Sequence, residues 1–156
     1  MLEDSVAIND SFTTDTIKNK FLLFKIGEEE FGVEISFVRE IINMVNITGV
    51  PHTPHYLKGI INLRGEIVPI LEIRSRFMME EIPYDDLTCI IIIEYGGDKI
   101  GLIVDEVNEV KYIDEEKIAP PPSAKLSYAN YFVKNLGHTD NGVALLLEVN
   151  KLLHDE

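Results

Sequence analysis

The chain has 156 residues, 46% of them hydrophobic and 26% charged, with a formal net charge of −13. A chain of this length buries roughly 70% of the surface it exposes when unfolded, enough for one domain or for two small halves sharing a core. The negative charge repels phosphate backbones and anionic lipid, which argues against nucleic acid and membrane surfaces as partners, and no apolar run reaches the ~20 residues of a membrane-spanning helix.

The opening MLEDSVAIND has neither a basic nor an apolar secretory region, and a single cysteine, Cys89, permits no internal disulfide. Both point to a reducing cytoplasm. Met1 to Asn19 is polar and aperiodic, and residues 1–20 are expected to form a mobile tail before a single domain over 21–156. FLLFKI (Phe21 to Ile26) reads as a strand, GEEE as a turn and FGVEI (Phe31 to Ile35) as the returning strand. Ser36 is placed to cap a short helical turn carrying Phe37 and Val38, and Glu40 to Val45 resumes extended structure. VPHTP (Val50 to Pro54) breaks the chain, because each proline moves its predecessor out of the helical region.

The next stretch, GIINLRGEIVPILEI (Gly59 to Ile73), is a β-hairpin with its turn at Arg64-Gly65. IVPIL is apolar at successive positions and should be buried on both faces, with Pro69 at an edge or a bulge. Glu72 to Met79 follows as a short helix. After an acidic loop, TCIIIIEY (Thr88 to Tyr95), the GGDK turn and IGLIV (Ile100 to Val104) form another hairpin, with Asp105 positioned to cap a turn. Val110 to Ile113 is extended, Ala119 to Pro122 breaks the chain, and Tyr131 to Leu136 resumes it. Asp140-Asn141-Gly142 is a turn, Val143 to Val149 a buried strand, and Asn150 caps a last helical turn through His154. The acidic clusters at Glu28–Glu30, Glu80–Glu81, Asp85–Asp86 and Asp114–Glu116 read as solvated loops.

This order is an internal repeat. FGVEISFVREI lies over IGLIVDEVNEV at a separation of 69, which places Gly32 on Gly101 and Glu40 on Glu109. LKGIINLRGEIVPILEI lies over VKNLGHTDNGVALLLEV at a separation of 76, which places Gly59 on Asn135 and Arg64 on Asp140. The fold class is therefore all-β with a few short helices: two small barrels, one half about 21–86 and the other about 87–153. Arg64 is a fixed positive charge on the tip of an apolar hairpin in an acidic chain, and its equivalent in the second half has the opposite sign.

Catalytic and metal-binding patterns fail on inspection. His52 and His55 have helical ligand spacing, but Pro51 and Pro54 break the segment, and no local Cys, Asp or Glu completes a site. Cys89 opens an apolar strand without a neighbouring base. Neither a phosphate loop nor a dinucleotide fingerprint is present. No catalytic residue, metal or cofactor is expected, and the remaining description is an interaction module.

The chain resembles the CheW family, the coupling proteins of bacterial chemotaxis. The resemblance rests on FKIGEEEFGVEISFVREII, on ITGVPHTPHYLKGIINLRGEIVPILEIRSRF, on IGLIVDEVNEV, IAPPP and VALLLEVNKLL, and spans about Phe21 to Leu153. It implies two five-stranded SH3-like barrels around a shared core. It also implies a non-enzymatic scaffold, monomeric in isolation, that couples the cytoplasmic tip of a chemoreceptor to the regulatory domain of the histidine kinase CheA. Such a protein is cytoplasmic and reaches membrane clusters only through its partners. The chain has no kinase or receiver segments, so it resembles the stand-alone adaptor; the alternative is a ligand-binding or enzymatic small β-barrel outside chemotaxis. Carried over by motif, receptor contacts fall on Val38, Glu40, Gly59 and Arg64, while no kinase contact can be assigned. Each has a second reading: Val38 as core, Glu40 as a solvated strand residue, Gly59 as a backbone necessity, and Arg64 as a turn residue tied to a local carboxylate such as Glu66; as a receptor contact, Glu40 would be a rim charge. A tip position would make Arg64→Ala nearly neutral for stability, within about 0.5 kcal/mol.

Overall fold

The computed structural model describes residues 5–7, 17–121 and 128–154. Short apolar runs separated by glycine-bearing turns give strands of two to seven residues in two six-stranded sheets. The first contains β1 (Ser5–Ala7), β4 (Val38–Asn43), β5 (Leu57–Leu63), β6 (Glu66–Glu72), β7 (Cys89–Tyr95) and β8 (Asp98–Val104), in the order β1-β4-β7-β8-β6-β5. The second contains β2 (Lys20–Ile26), β3 (Glu29–Glu34), β9 (Glu106–Tyr112), β10 (Ile118–Ala119), β11 (Val133–Thr139) and β12 (Gly142–Leu147), in the order β10-β11-β12-β3-β2-β9. Two short helices, α1 (Ile73–Arg76) and α2 (Val149–Leu153), follow β6 and β12.

The chain divides into two compact units, one built on Val38–Glu106 with β1, the other on the segments before Val38 and after Glu106. The repeat divides the sequence near residue 86, and the units cross that division. Hairpin β7–β8 joins the first unit through parallel pairing of β8 with β6, at Ile70↔Gly101. Hairpin β2–β3 joins the second through parallel pairing of β3 with β12, at Leu146↔Gly32. These two contacts are equivalents of each other in the repeat, so each sequence half gives its first hairpin to the other half's last one.

The glycines explain the closeness of both contacts. A Cβ on Gly101 would lie 2.6 Å from Ile70 Cδ1 and 2.7 Å from Ile90 Cγ2, and one on Gly32 would lie 2.9 Å from Leu146 Cδ2 and from Leu23 Cδ2. The first unit packs Ile42, Ile61, Val68, Ile70, Ile90, Ile92 and Ile103 into one core. Phe21, Leu23, Ile113, Ala144 and Leu146 form a core in the second. A bridge between Thr48 and Ile60 ties the chain leaving β4 to β5, the last strand in the sheet order, so the first sheet curls back on itself.

Several local expectations are corrected. Ser5–Ala7 is a strand antiparallel to β4, in the register Ser5↔Ile42 and Ala7↔Glu40, so the mobile tail does not extend over these residues. Residues 1–4 and 8–16, and Pro122 of the proline break, lie outside the described residues. Ser36 sits within the 3-10 turn Ile35–Phe37, not before it. Asp105 starts no helical turn, because β9 begins at Glu106 and the Asp105 carboxylate is taken by Arg74. Glu148, not Asn150, precedes α2, and the Asn150 carbonyl accepts the backbone N–H of His154. The helix expected over Glu72 to Met79 is confined to Ile73–Arg76. Ile67 is 58% exposed and Pro69 half-buried, so burial on both faces starts only at Ile70. Pro69 precedes the β6–β8 register by one residue and so lies where β6 is paired on one side only.

Candidate functional site

The Arg64-Gly65 tip turns with positive φ at both central residues, 53° and 89°, the two-residue geometry whose twist matches antiparallel strands. Glycine adopts it freely; arginine does so at a cost of order 1 kcal/mol. Asn62 supports the turn, its side-chain oxygen accepting the Gly65 N–H at 2.8 Å. Neither Asp140 nor Asn141, at the equivalent tip in the second unit, has positive φ.

Arg64 is 64% exposed in its side chain, and its Nη2 donates to Glu40 Oε2. Glu40 is itself 5% exposed. It lies two residues from Ile42, on the same strand face, at the end of the first unit's core. The carboxylate is therefore not a solvated rim charge. It is a buried acceptor whose counter-charge stands mostly in solvent, leaving the outer guanidinium N–H groups for another acceptor. Glu66, the alternative partner for Arg64, is engaged by Lys99 at 3.2 Å.

The four residues expected to act together separate into a pair and two supports. Val38 is fully buried as the first residue of β4, so it reads as core. Gly59 follows a register shift in β5 and meets Thr48, whose carbonyl oxygen would lie 2.2 Å from an added Cβ. It admits the bridge in which Thr48 and Ile60 exchange two backbone hydrogen bonds of 2.9 Å. Arg64 and Glu40 are joined directly by their ion pair.

The Glu80–Glu81 stretch, read in the sequence as a solvated loop, is tied to the fold. Arg74 makes two bonds to Asp105, of 3.1 and 2.6 Å, and one to the Glu80 carbonyl at 3.0 Å. The Asp105 hydrogen bonds raise the Arg74 pKa and keep it charged. Tyr84 donates its hydroxyl to Glu72 at 2.5 Å, and Ser75 donates to Glu81 at 2.8 Å. Burial pushes the Glu72 carboxyl above its ordinary value, while the Ser75 and Lys58 hydrogen bonds hold Glu81 below its own. Burial and the Glu72 bond push the Tyr84 hydroxyl up, so it remains a donor. These bonds strap the acidic loop after α1 to its own unit. Glu80 and Glu81 gave no hint of this, because their partners are side chains and backbone groups that meet only in the fold.

His55 meets the Ser75 carbonyl at 3.1 Å, and Cys89 is buried in β7. Among the described residues no group of three His, Cys, Asp or Glu side chains is arranged to hold a metal, and no helix is long and apolar enough to cross a membrane. A recess of about 550 Å³ in the second unit, bordered by Lys18, Lys20, Phe21, Glu34 and Lys134, contains none of the four expected residues.

The family model of the CheW-like domain matches residues 20–156. Chemotaxis protein CheW of Klebsiella aerogenes is 34% identical over 142 residues, covering 91% of this chain and 86% of that protein. The CheW of Bacillus subtilis is 29% identical, with 88% of each chain covered. Protein FrzA of Myxococcus xanthus is 26% identical over 87% of this chain and 86% of its own. The crystal structure of scaffolding protein TtCheW from Thermoanaerobacter tengcongensis superposes with a TM-score of 0.82 at 37% identity, covering 88% of this chain and 94% of that one. With the family model and the relatives both spanning nearly the whole sequence, the chain belongs to the CheW family.

Proposed function

We propose that this chain is a non-catalytic chemotaxis scaffold that couples the cytoplasmic tip of a chemoreceptor to the regulatory domain of the kinase CheA, on two SH3-like barrel halves. It acts in the cytoplasm as a monomer and reaches receptor clusters through its partners. The observation that carries the reading is the Arg64–Glu40 pair: a charged hydrogen-bond donor held in solvent, on a strained turn, by a carboxylate that is itself buried. A fold needing only a hairpin would place Asn or Gly at that tip. Membership of the CheW family and the scaffold name of TtCheW support the partners proposed.

In this reading Arg64 touches the receptor and Glu40 orients it. Val38 and Gly59 contribute by keeping β4 and β5 in place, so their substitution would weaken receptor binding through the fold. The test is co-sedimentation of the purified chain with a receptor cytoplasmic fragment and the kinase regulatory domain, without added cofactor. Binding to each alone and to both together is expected, with Arg64→Ala removing receptor binding and sparing kinase binding. Failure of wild-type protein to bind either partner would end the adaptor reading.

A further inference from the structure

β4 pairs Val38 with Ile93 and Glu40 with Ile92, which leaves Arg39 as the extra residue of a β-bulge. An extra residue interrupts the alternation of faces and re-aims the side chains after it. Glu40 keeps step with Ile42 and the core, and the bulge takes Val38 out of that series. Whether residue 40 faces Arg64 therefore depends on the bulge being held.

Arg39 and Glu94 hold it. Arg39 Nε donates to Glu94 Oε1 at 2.9 Å and Nη1 to the Val38 carbonyl at 3.3 Å, so one guanidinium spans the bulge and the neighbouring strand. Glu94 stands opposite Lys99 in the β7–β8 register, and Lys99 reaches Glu66 at 3.2 Å. Glu66 closes the hairpin opposite Leu63, beside the Arg64-Gly65 tip. Charge thus alternates around this end of the first unit through Glu40, Arg64, Glu66, Lys99, Glu94 and Arg39. An Arg39 pointing elsewhere would leave the bulge without its side-chain clamp.

We propose that Arg39 and Glu94 are positioning residues: their ion pair clamps the β4 bulge and so holds Glu40 beneath Arg64, fixing the guanidinium that meets the partner. The identity of that partner as a chemoreceptor rests on the adaptor reading. The clamp acts through Glu40, and an ion pair whose side chains are 34% and 33% exposed is still reached by water and contributes little to stability itself, so its loss should register in binding before it registers in folding.

The test is a double-mutant cycle on the full chain with Arg39→Gln, Glu94→Gln and the double variant, read against a receptor cytoplasmic fragment and, separately, the kinase regulatory domain. Each single change should weaken receptor binding about fivefold, and the double change by the same factor, since either alone releases the clamp. Kinase binding should be unchanged, and the denaturation midpoint should fall by less than in Arg64→Ala, which removes the donor outright; a merely structural role would weaken binding to both partners alike. A loss confined to Arg39→Gln would make Arg39 a direct contact and overturn the proposal, as would additive losses or none. NMR of the Arg64 guanidinium supplies a readout free of any partner: its proton exchange with water should speed up in Glu94→Gln. If wild-type protein binds no receptor fragment, the adaptor reading fails, and this exchange measurement alone decides the clamp, with an unchanged rate refuting it.

Discussion

Arg64 gains its significance from what lies beneath it. Removing the side chain leaves the Glu40 carboxylate buried without its donor, and a stranded buried acceptor costs about 1–3 kcal/mol. Arg64→Ala should therefore destabilise by that amount, more than its exposed position in the sequence suggested. In a Glu40→Gln background, where no charge is stranded, the same substitution should cost less than about 1 kcal/mol. Urea melts of the four proteins check this, and equal costs in both backgrounds would show that water satisfies Glu40 unaided. Glu40→Lys, attractive for a rim charge, would set an ammonium against the Arg64 guanidinium and is no clean probe of binding. Glu72 offers a second residue-scale test. Burial raises its folded-state pKa, so ionisation at neutral pH opposes folding, and that penalty disappears as pH falls below the ordinary carboxylate range. Glu72→Gln keeps an oxygen for the Tyr84 hydroxyl and should stabilise the protein at pH 7, with the gain shrinking toward pH 4. Glu81 runs the other way: its stabilising contribution is lost as pH falls through its depressed pKa. A Glu72→Gln gain that grew on acidification would contradict the assignment.

Among the elements, the hairpins were legible in the sequence because their signals are local: Arg64-Gly65 and Gly96-Gly97 turn with positive φ where glycine predicts it. Ser36, Asp105 and Asn150 misled for the same reason. Each is a good local cap, yet Ser36 sits inside its turn, Asn150 inside α2, and the Asp105 carboxylate is taken by a distant arginine. The parallel pairs β6–β8 and β3–β12 carry no local signal, and only the matched glycines of the repeat marked them. Those glycines now separate in consequence. At Gly101 an added methyl meets Ile70 Cδ1 and the Ile90 Cγ2 of a branched, stiff side chain, whereas at Gly32 it meets the ends of two leucines. Gly101→Ala should cost about 1–3 kcal/mol by overpacking, and Gly32→Ala less than about 1 kcal/mol. Chemical denaturation of the two variants, side by side, tests the order; Gly32→Ala as the more damaging change would refute this packing account.

At the scale of the whole molecule, the sequence displayed two similar halves, and the structure composes its compact units by exchange between them. The candidate site shows why the exchange stayed hidden: Arg64 and Glu40 lie in one half, while Glu94 and Lys99, which complete the ring of charge, lie in the other. Composition could not reveal that Glu40 is buried, since the strands paired beside it, β1 and β7, are distant in the chain. The exchange has a consequence for fragments cut near residue 86. Residues 1–86 keep β1, β4, β5 and β6 but lose β7 and β8, the strands that join β4 to β6 within the sheet. They also keep β2–β3 as a bare hairpin, cut off from β12. Residues 87–156 keep β7–β8 as a bare hairpin, and hairpin β11–β12 with only the two-residue β10 beside it, having lost β3 and β2. Isolated two-stranded hairpins are marginal in water, so neither fragment should show a cooperative unfolding transition alone. Mixed in equal amounts, they should regain near-native circular dichroism and a cooperative melt, because every strand pairing of both units becomes available again. The control is a pair of fragments cut within β7, where reassembly must also mend a central strand and should be weaker. Cooperative melting of residues 1–86 by themselves would mean that the repeat half, not the exchanged unit, is the folding element.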